Sequence, residues 1–348
     1  MSTNLADGAP PQDLIASGTA VPPAARPGGV SLRALLAEGR ARLSAAVAAA
    51  AAAGAAPAWR AEGVPLEAQL LLAHVLRRPR AYLIAHAEEQ AAAADAAAFD
   101  ELLRRVAAGE PVAYVTGGCE FWSLPLRVGP AVLIPRPETE LAVERCLALL
   151  PDAAASAAPA APAAPAVPPA GSPCVCDLGT GSGAIACALA SERPAWRITA
   201  TDCSAPALQV ARGNALRLGL GARDNRIEFL QGHWFEPLGT RRFDLLVSNP
   251  PYVGAADPAL ALLRHEPRLA LTPGPSGLEA LGELIRLAPR HLVTDGWLVL
   301  EHGADQAGAV ARALVAAGYA RVRCHRDLAG HARVTEASWP GSGFARPA

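Results

Sequence analysis

The chain contains no lysine: all 31 of its basic residues are arginine. That absence removes every mechanism needing an amine nucleophile or a lysine on a phosphate, so P-loop NTPases, protein kinases and Schiff-base enzymes are excluded. Heavy alanine use points to compositional drift as the origin of the loss, and the exclusion stands whatever its origin. An excess of charge of either sign is also missing. Thirty-two acidic residues leave a net charge of −1, without the basic footprint of a protein that lives on a nucleic-acid backbone. Residues 1–30 lack a basic start followed by an apolar stretch, so no secretory signal is read there. The alanine tract around 45–56 is too weakly apolar for a membrane span. Among the seven cysteines there is no CxxC pair. Cys174 and Cys176 flank Val175 on one strand face, but no His or third Cys stands near to complete a metal site. They read as reduced core residues of a cytoplasmic protein that needs no metal.

What is present is apolar material: 348 residues with 51% hydrophobic content provide for a sizeable core and roughly two domains. Residues 1–30 are rich in Pro, Ala, Gly and Ser and read as a disordered tail. Helical spacing then recurs in three stripes, Leu32/Leu35/Leu36, Leu66/Leu70/Leu71/Val75 and Leu102/Leu103/Val106. They predict a small helical domain over 31–110. Residues 111–134 read as a β-hairpin linker, because Val112 to Leu133 carries β-formers around Gly117-Gly118 and Gly129-Pro130. Residues 135–348 form the second domain. Pro137 suits the first turn of a helix that runs to about Leu150, with Glu138 and Glu140 complementing its dipole. Residues 151–173 are a Pro/Ala segment read as a surface insertion.

Beyond the insertion, apolar runs at Cys174 to Leu178, Ile198 to Asp202, Ile227 to Leu230, Phe243 to Ser248 and Trp297 to Leu300 alternate with helical stretches near 184–191, 204–217, 276–290 and 304–317. Strands buried on both faces and separated by helices predict an α/β, doubly wound parallel sheet. Two late runs, 320–326 and 332–339, joined by a turn containing Gly330, predict an antiparallel edge hairpin.

Two segments carry chemistry. Asp177-Leu178-Gly179-Thr180-Gly181-Ser182-Gly183-Ala184 closes one strand and opens a helix, where glycines let the backbone approach a ligand. The same spacing satisfies a dinucleotide fingerprint, with Asp202 ending the next strand as a ribose-binding acid. Asp177 tilts the choice from NAD to S-adenosyl-L-methionine. A carboxylate beside the loop attracts an ammonium and a sulfonium, whereas it would repel a pyrophosphate. The second segment is the strand Phe243 to Ser248 followed by Asn249-Pro250-Pro251-Tyr252. The two prolines fix φ and remove two N–H donors, leaving carbonyls and the Asn249 side chain as acceptors at the end of a strand, where such sheets bind ligands. His233 reads as a partly exposed polar residue and Asp244 as an edge or cap residue. Arg136, Glu138, Glu266 and Glu301 read equally as channel-lining groups or as solvated ends of elements.

This sequence resembles the N-methyltransferases that act on a planar, conjugated NH2 group, whose shared signature is Asn-Pro-Pro-Tyr. More closely it is similar to the bacterial release factor glutamine methyltransferases. The likeness runs from about residue 31 to the end. It includes Gly109-Glu110-Pro111-Val112-Ala113-Tyr114, Glu120-Phe121-Trp122, Val132-Leu133-Ile134-Pro135-Arg136-Pro137-Glu138-Thr139-Glu140, Glu266-Pro267, Ala270-Leu271, Glu301-His302-Gly303, Asp327, Gly330 and Arg333. The resemblance implies a helical N-terminal domain that recognises substrate, a hairpin linker and a seven-stranded, Rossmann-like methyltransferase domain. It implies cofactor contacts from Gly179, Thr180, Gly181, Ser182, Gly183, Asp202 (ribose), Trp234 (adenine) and Asn249, and substrate contacts from Asn249, Pro250, Pro251 and Tyr252. The implied partners are class 1 peptide chain release factors, methylated on the Gly-Gly-Gln glutamine by a monomer that binds neither nucleic acid nor membrane. His233 departs from the family pattern, which has Asp before the Trp. Residues 1–30 and 151–173 have no counterpart in that pattern.

Other functions remain on the same residues. A base-amino methyltransferase of DNA or RNA shares the Pro-Pro-aromatic logic, and near-zero charge argues against it. A ribosomal-protein glutamine methyltransferase is disfavoured by Ile134-Pro135-Arg136-Pro137-Glu138. A non-catalytic adaptor would have lost the acid, the glycines or the tetrad, and an NAD oxidoreductase would need a hydride-transfer site that does not stand out.

Overall fold

The structure, a computed structural model, describes residues 29–52, 60–150, 171–220 and 227–341. The expected disordered tail, apart from its last two residues, and most of the expected insertion at 151–173 lie outside the described residues.

Helical periodicity at the start of the chain produces β1 (Val30–Ser31), α1 (Leu32–Ala52), α2 (Arg60–Leu76), α3 (Arg80–Ala85), β2 (Gln90–Ala91) and α4 (Ala93–Ala107). β1 and β2 pair antiparallel and tie the start of this unit to the segment leading into α4. Its core joins Leu32, Leu35, Leu36 and Leu43 of α1 to Leu71 and Leu72 of α2 and to Phe99, Leu103 and Val106 of α4. The stripe expected on α2 needs a correction. Val64, Ala68, Leu71 and Leu72 face inward, while Leu66 and Leu70 are exposed. A row at i, i+4, i+7 and i+8 beginning at Val64 is continuous on one helical face; one beginning at Leu66 is not.

The linker is also corrected. Residues Val112–Thr116 form a helix, α5, rather than a strand, starting after Pro111 and ending on Gly117 in the left-handed region at φ 73°. Only then come β3 (Gly118–Phe121) and β4 (Leu124–Arg127), which pair antiparallel. Their turn is Trp122-Ser123, with φ of 53° and 56°. Positive φ at both central residues matches the twist of a two-residue hairpin. Glu140 secures it by accepting the Trp122 N–H at 2.7 Å, and the Trp122 indole donates to Glu192 at 2.7 Å.

The rest is α6 (Glu140–Leu149), β5 (Cys174–Leu178), α7 (Ala184–Glu192), β6 (Arg197–Asp202), α8 (Ala205–Arg217), β7 (Ile227–Gln231), β8 (Phe243–Ser248), α9 (Ala259–Leu262), α10 (Glu279–Leu287), β9 (Leu292–Glu301), α11 (Ala307–Ala316), β10 (Ala320–Arg326) and β11 (Ala332–Ser338). The sheet runs β10-β11-β9-β8-β5-β6-β7. β5 to β9 are parallel, and β11 is antiparallel to both β9 and β10. The late hairpin therefore has only β10 at the edge, with β11 inserted beside β9. Alternate residues of β5 serve opposite cores. Val175 packs with Ile185 and Leu189 of α7, and Cys176 with Leu281 and Leu284 of α10. That alternation is why these strands read as continuous apolar runs. All seven cysteines are free thiols. Among the described residues no group of three His, Cys, Asp or Glu could hold a metal ion, and no helix is long and apolar enough to cross a membrane.

Chain order reverses at β5, which has β6 on one side and β8 on the other. Open α/β sheets bind ligands beyond the carboxyl ends of their strands at such a reversal.

Candidate active site

The glycine loop follows β5 directly. Gly179 and Thr180 N–H groups donate to the Thr201 carbonyl at 2.8 and 2.9 Å, tying the loop to β6. Gly179, Gly181 and Gly183 have φ of 76°, 56° and 81°, a region where other residues are strained. A Cβ on Gly179 would lie 2.8 Å from the Trp234 ring, and one on Gly183 would lie 3.1 Å from the Ala211 Cβ of α8. The first glycine lets Trp234 close over the loop, and the third lets α7 pack against α8. Trp234, itself at φ 45°, is held by its carbonyl, which accepts the Thr201 hydroxyl at 3.0 Å.

Asp202 ends β6. Its carboxylate accepts the Gly181 N–H and the Ser204 N–H, each at 2.9 Å. Burial raises its carboxyl above the ordinary value, opposed by those two N–H groups. Asp177 is 1% exposed beneath the loop and accepts the Thr180 hydroxyl at 2.6 Å on Oδ2, while Oδ1 is buried without a partner. Burial pushes its carboxyl up to about 7. A carboxyl raised in the folded state stabilises the fold most below the unfolded value of 3.8, and that contribution is lost as pH rises through about 7. Asp177→Asn should therefore flatten the decline in thermal midpoint between about pH 4 and pH 7, as followed by scanning calorimetry of both proteins. Parallel declines would count against this account of Asp177.

Opposite the loop, the Ser248 hydroxyl donates to the Leu178 carbonyl at 2.6 Å and locks the end of β8 to the end of β5. Asn249 follows, with Nδ2 donating to Thr139 Oγ1 at 3.1 Å. The Tyr252 hydroxyl donates to Glu301 at 3.1 Å, and its carbonyl accepts Gln306 Nε2 at 2.9 Å. Between loop and tetrad lies a cavity of about 320 Å³, within the range of small-molecule sites. Of the residues singled out from sequence, Gly179, Thr180, Gly181, Ser182, Asp202, Trp234, Asn249 and Pro251 line it, as does His233. Asp177, Gly183, Pro250 and Tyr252 stand behind its wall. Asp244 serves the opposite end of the sheet, accepting the Cys174 N–H at 2.8 Å.

The sequence singled out neither Thr139 as a site residue nor, although it named Arg136 and Glu266, the pairing between them. Thr139 lines the cavity and holds the Asn249 amide. Its signal was its place in the Arg136-Pro137-Glu138-Thr139-Glu140 run. The pairing forms a clamp at the rim: buried Glu266 accepts the Ile134 N–H at 3.0 Å and pairs with Arg136. It joins the segment carrying Val132 and Leu133 to the one carrying Leu269 and Ala270, both of which line the cavity. Chemically, the site sets a glycine cradle, an acid and an aromatic ring against an amide oxygen whose nitrogen is engaged elsewhere.

Two family models match: "PrmC N-terminal domain" over residues 60–117 and "Methyltransferase small domain" over residues 165–310. A release factor glutamine methyltransferase of Xylella fastidiosa is 45% identical over 278 residues, covering 79% of this chain and 94% of that one. One from Pseudomonas aeruginosa is 44% identical over 276 residues, covering 79% and 92%. One from Escherichia coli is 42% identical over 272 residues, covering 77% and 90%. With its glycine loop and its Asn-Pro-Pro-Tyr turn at the reversal of a seven-stranded sheet, the chain belongs to the release factor glutamine methyltransferase family.

Proposed function

We propose that the chain transfers a methyl group from S-adenosyl-L-methionine to the side-chain N5 of the glutamine in the Gly-Gly-Gln motif of class 1 peptide chain release factors. The observation that carries this reading is the Asn249 amide. Its nitrogen is engaged by Thr139, and it lines the same cavity as the glycine loop.

The residues present fit the cofactor. The open backbone of Gly179 and Gly181 cradles its amino-acid part, and Asp202 has lone pairs beyond those used by Gly181 and Ser204 for the ribose hydroxyls. Trp234 and His233 border the adenine region. Asp177, behind the loop, contributes field rather than contact, and its raised carboxyl is the group that a nearby ammonium would drive toward the charged form. When bound, the cofactor supplies an electrophilic methyl on a sulfonium.

An amide nitrogen is a feeble nucleophile because its lone pair is delocalised into the carbonyl. Positioning must therefore supply much of the rate. Asn249 Oδ1, on the cavity wall, accepts a hydrogen of the glutamine NH2, and Pro250, Pro251 and Tyr252 form the turn that presents it. Held in this way, the nitrogen would meet a bound methyl donor in an effectively intramolecular reaction. Water takes the proton that the methylated nitrogen releases. The helical domain and hairpin contact the folded release factor away from the reacting glutamine, and that remote binding energy orients the amide. We place the enzyme in the cytoplasm and read it as a monomer.

The test is incubation with a purified class 1 release factor and labelled S-adenosyl-L-methionine, followed by mass mapping. One methyl on the Gly-Gly-Gln glutamine is expected. Label appearing instead on a ribosomal protein or on nucleic-acid bases would overturn the substrate assignment.

A further inference from the structure

Behind the Asn-Pro-Pro-Tyr turn is a carboxyl that neither the glycine loop nor the cavity wall explains. Glu301 ends β9 and is 1% exposed. The pairing of Ser248 with Leu300 puts it next to the turn. Its Oε1 accepts the Tyr252 hydroxyl at 3.1 Å. Its Oε2 is buried without a completed hydrogen bond, although the Thr139 hydroxyl stands close enough to favour the charged carboxylate. Thr139 is itself 3% exposed, in the turn that leads into α6, and accepts from Asn249 Nδ2 at 3.1 Å.

A hydroxyl has a single proton, and an ionised carboxylate only accepts. Thr139 oxygen takes a hydrogen from Asn249, so its own proton is free for Glu301. The Tyr252 and Thr139 hydroxyls then both donate to Glu301, and the Asn249 amide donates to Thr139. Were the Thr139 hydroxyl turned the other way, it would donate to Asn249 Oδ1 and bring the Asn249 NH2 to face the cavity. Two NH2 groups would then oppose each other across the site.

We infer that Glu301, acting through Thr139, is the positioning residue that decides which end of the Asn249 amide faces the substrate. The inference rests on the reading in which Asn249 accepts from a glutamine NH2. It differs from that reading in assigning the orientation of the acceptor to a carboxyl that never touches substrate. Burial pushes the Glu301 carboxyl up to about 7, opposed by Thr139, Tyr252 and the Arg333 guanidinium of β11 and reinforced by Glu138. The aligning charge is thus present above about pH 7 and is lost as the pH falls through that value.

Thr139→Val keeps the shape and removes the hydroxyl, and Thr139→Ser keeps the hydroxyl. By analogy with other orienting partners, kcat for Thr139→Val should fall about 10- to 100-fold, with cofactor Kd and release-factor KM within about twofold of wild type. Thr139→Ser should recover most of the loss. Turnover of Thr139→Val equal to wild type, or equal losses in both variants, would overturn the inference. A second readout needs no turnover. The Asn249 side-chain NH2 signals in proton–nitrogen correlation spectra should move in Thr139→Val and in Glu301→Gln, and should titrate near pH 7 in wild type but not in Glu301→Gln. Signals unmoved in both variants would refute the role of Glu301 even if no release factor is methylated. Failure of the wild type to methylate a release factor, with the signals moving as expected, would strike the functional reading alone.

Discussion

Asn249→Ala is expected to lower kcat by about 100- to 1000-fold, the usual cost of removing one preorganised polar contact, while S-adenosyl-L-methionine affinity changes little. The two effects separate because the cofactor's proposed contacts rest mainly on other elements. Gly179 and Thr180 hang from the Thr201 carbonyl, Gly181 is pinned to Asp202, and Trp234 is fixed through Thr201. None of these depends on the Asn249 side chain. What alanine removes is the acceptor for the glutamine NH2, together with the hydrogen bond to Thr139. The turn itself should persist, since Ser248 is anchored to Leu178 and Pro250 and Pro251 keep their fixed φ. Single-turnover methylation and cofactor titration of the same preparation check both halves. Wild-type turnover by the variant would remove Asn249 from the reaction.

The glycine loop and the Asn-Pro-Pro-Tyr turn were legible because each is a local pattern, an apolar strand followed by residues that only a loop beyond it would need. The five parallel strands and the helices between them followed from the same kind of alternation, but their order in the sheet did not. What stayed hidden was created by folding across long separations. Asn249 meets Thr139 from 110 positions away, and Tyr252 meets Glu301 from 49. No periodicity encodes such a meeting, so Glu301 read equally as a channel residue and as the solvated end of a strand. Residues 112–116 were misread for a different reason. A five-residue helix has too few turns to show a stripe, and its composition is rich in Val, Tyr and Thr, which favour strands. Its caps were the better signal, Pro111 before it and Gly117 after. The turn at Trp122-Ser123 contains neither Gly nor Asn, and its positive φ values are sustained by Glu140 and Glu192, from elements further along the chain. Leu66 and Leu70 illustrate the limit of counting apolar residues, since α2 turns the face beginning at Val64 toward the core.

Glu266→Ala should destabilise the protein and loosen its grip on substrate in one step. The Glu266 side chain is 3% exposed and that of Arg136 is 33% exposed, so the pair is buried at one end and wet at the other. Breaking a fully buried pair costs about 3 to 5 kcal/mol, and with Arg136 partly solvated we expect about 2 to 3 kcal/mol. Part of that is the Ile134 N–H left without its acceptor. The thermal midpoint should fall by several degrees. The consequence for function follows from what the clamp joins. Val132, Leu133 and Pro135 line one part of the cavity, and Pro267, Leu269 and Ala270 line another. Arg264 extends the same connection to the helical domain by donating to the Ala108 carbonyl at 2.8 Å. With the clamp cut, the two segments lose their fixed spacing, and KM for the release factor should rise more than kcat falls. Glu266→Gln retains an oxygen for the Ile134 N–H while giving up the charge, so it should lie between wild type and alanine on both measurements. Calorimetry and steady-state kinetics on the three proteins decide the matter: if Glu266→Ala matches wild type in midpoint and in KM, the clamp neither holds the fold nor shapes the site.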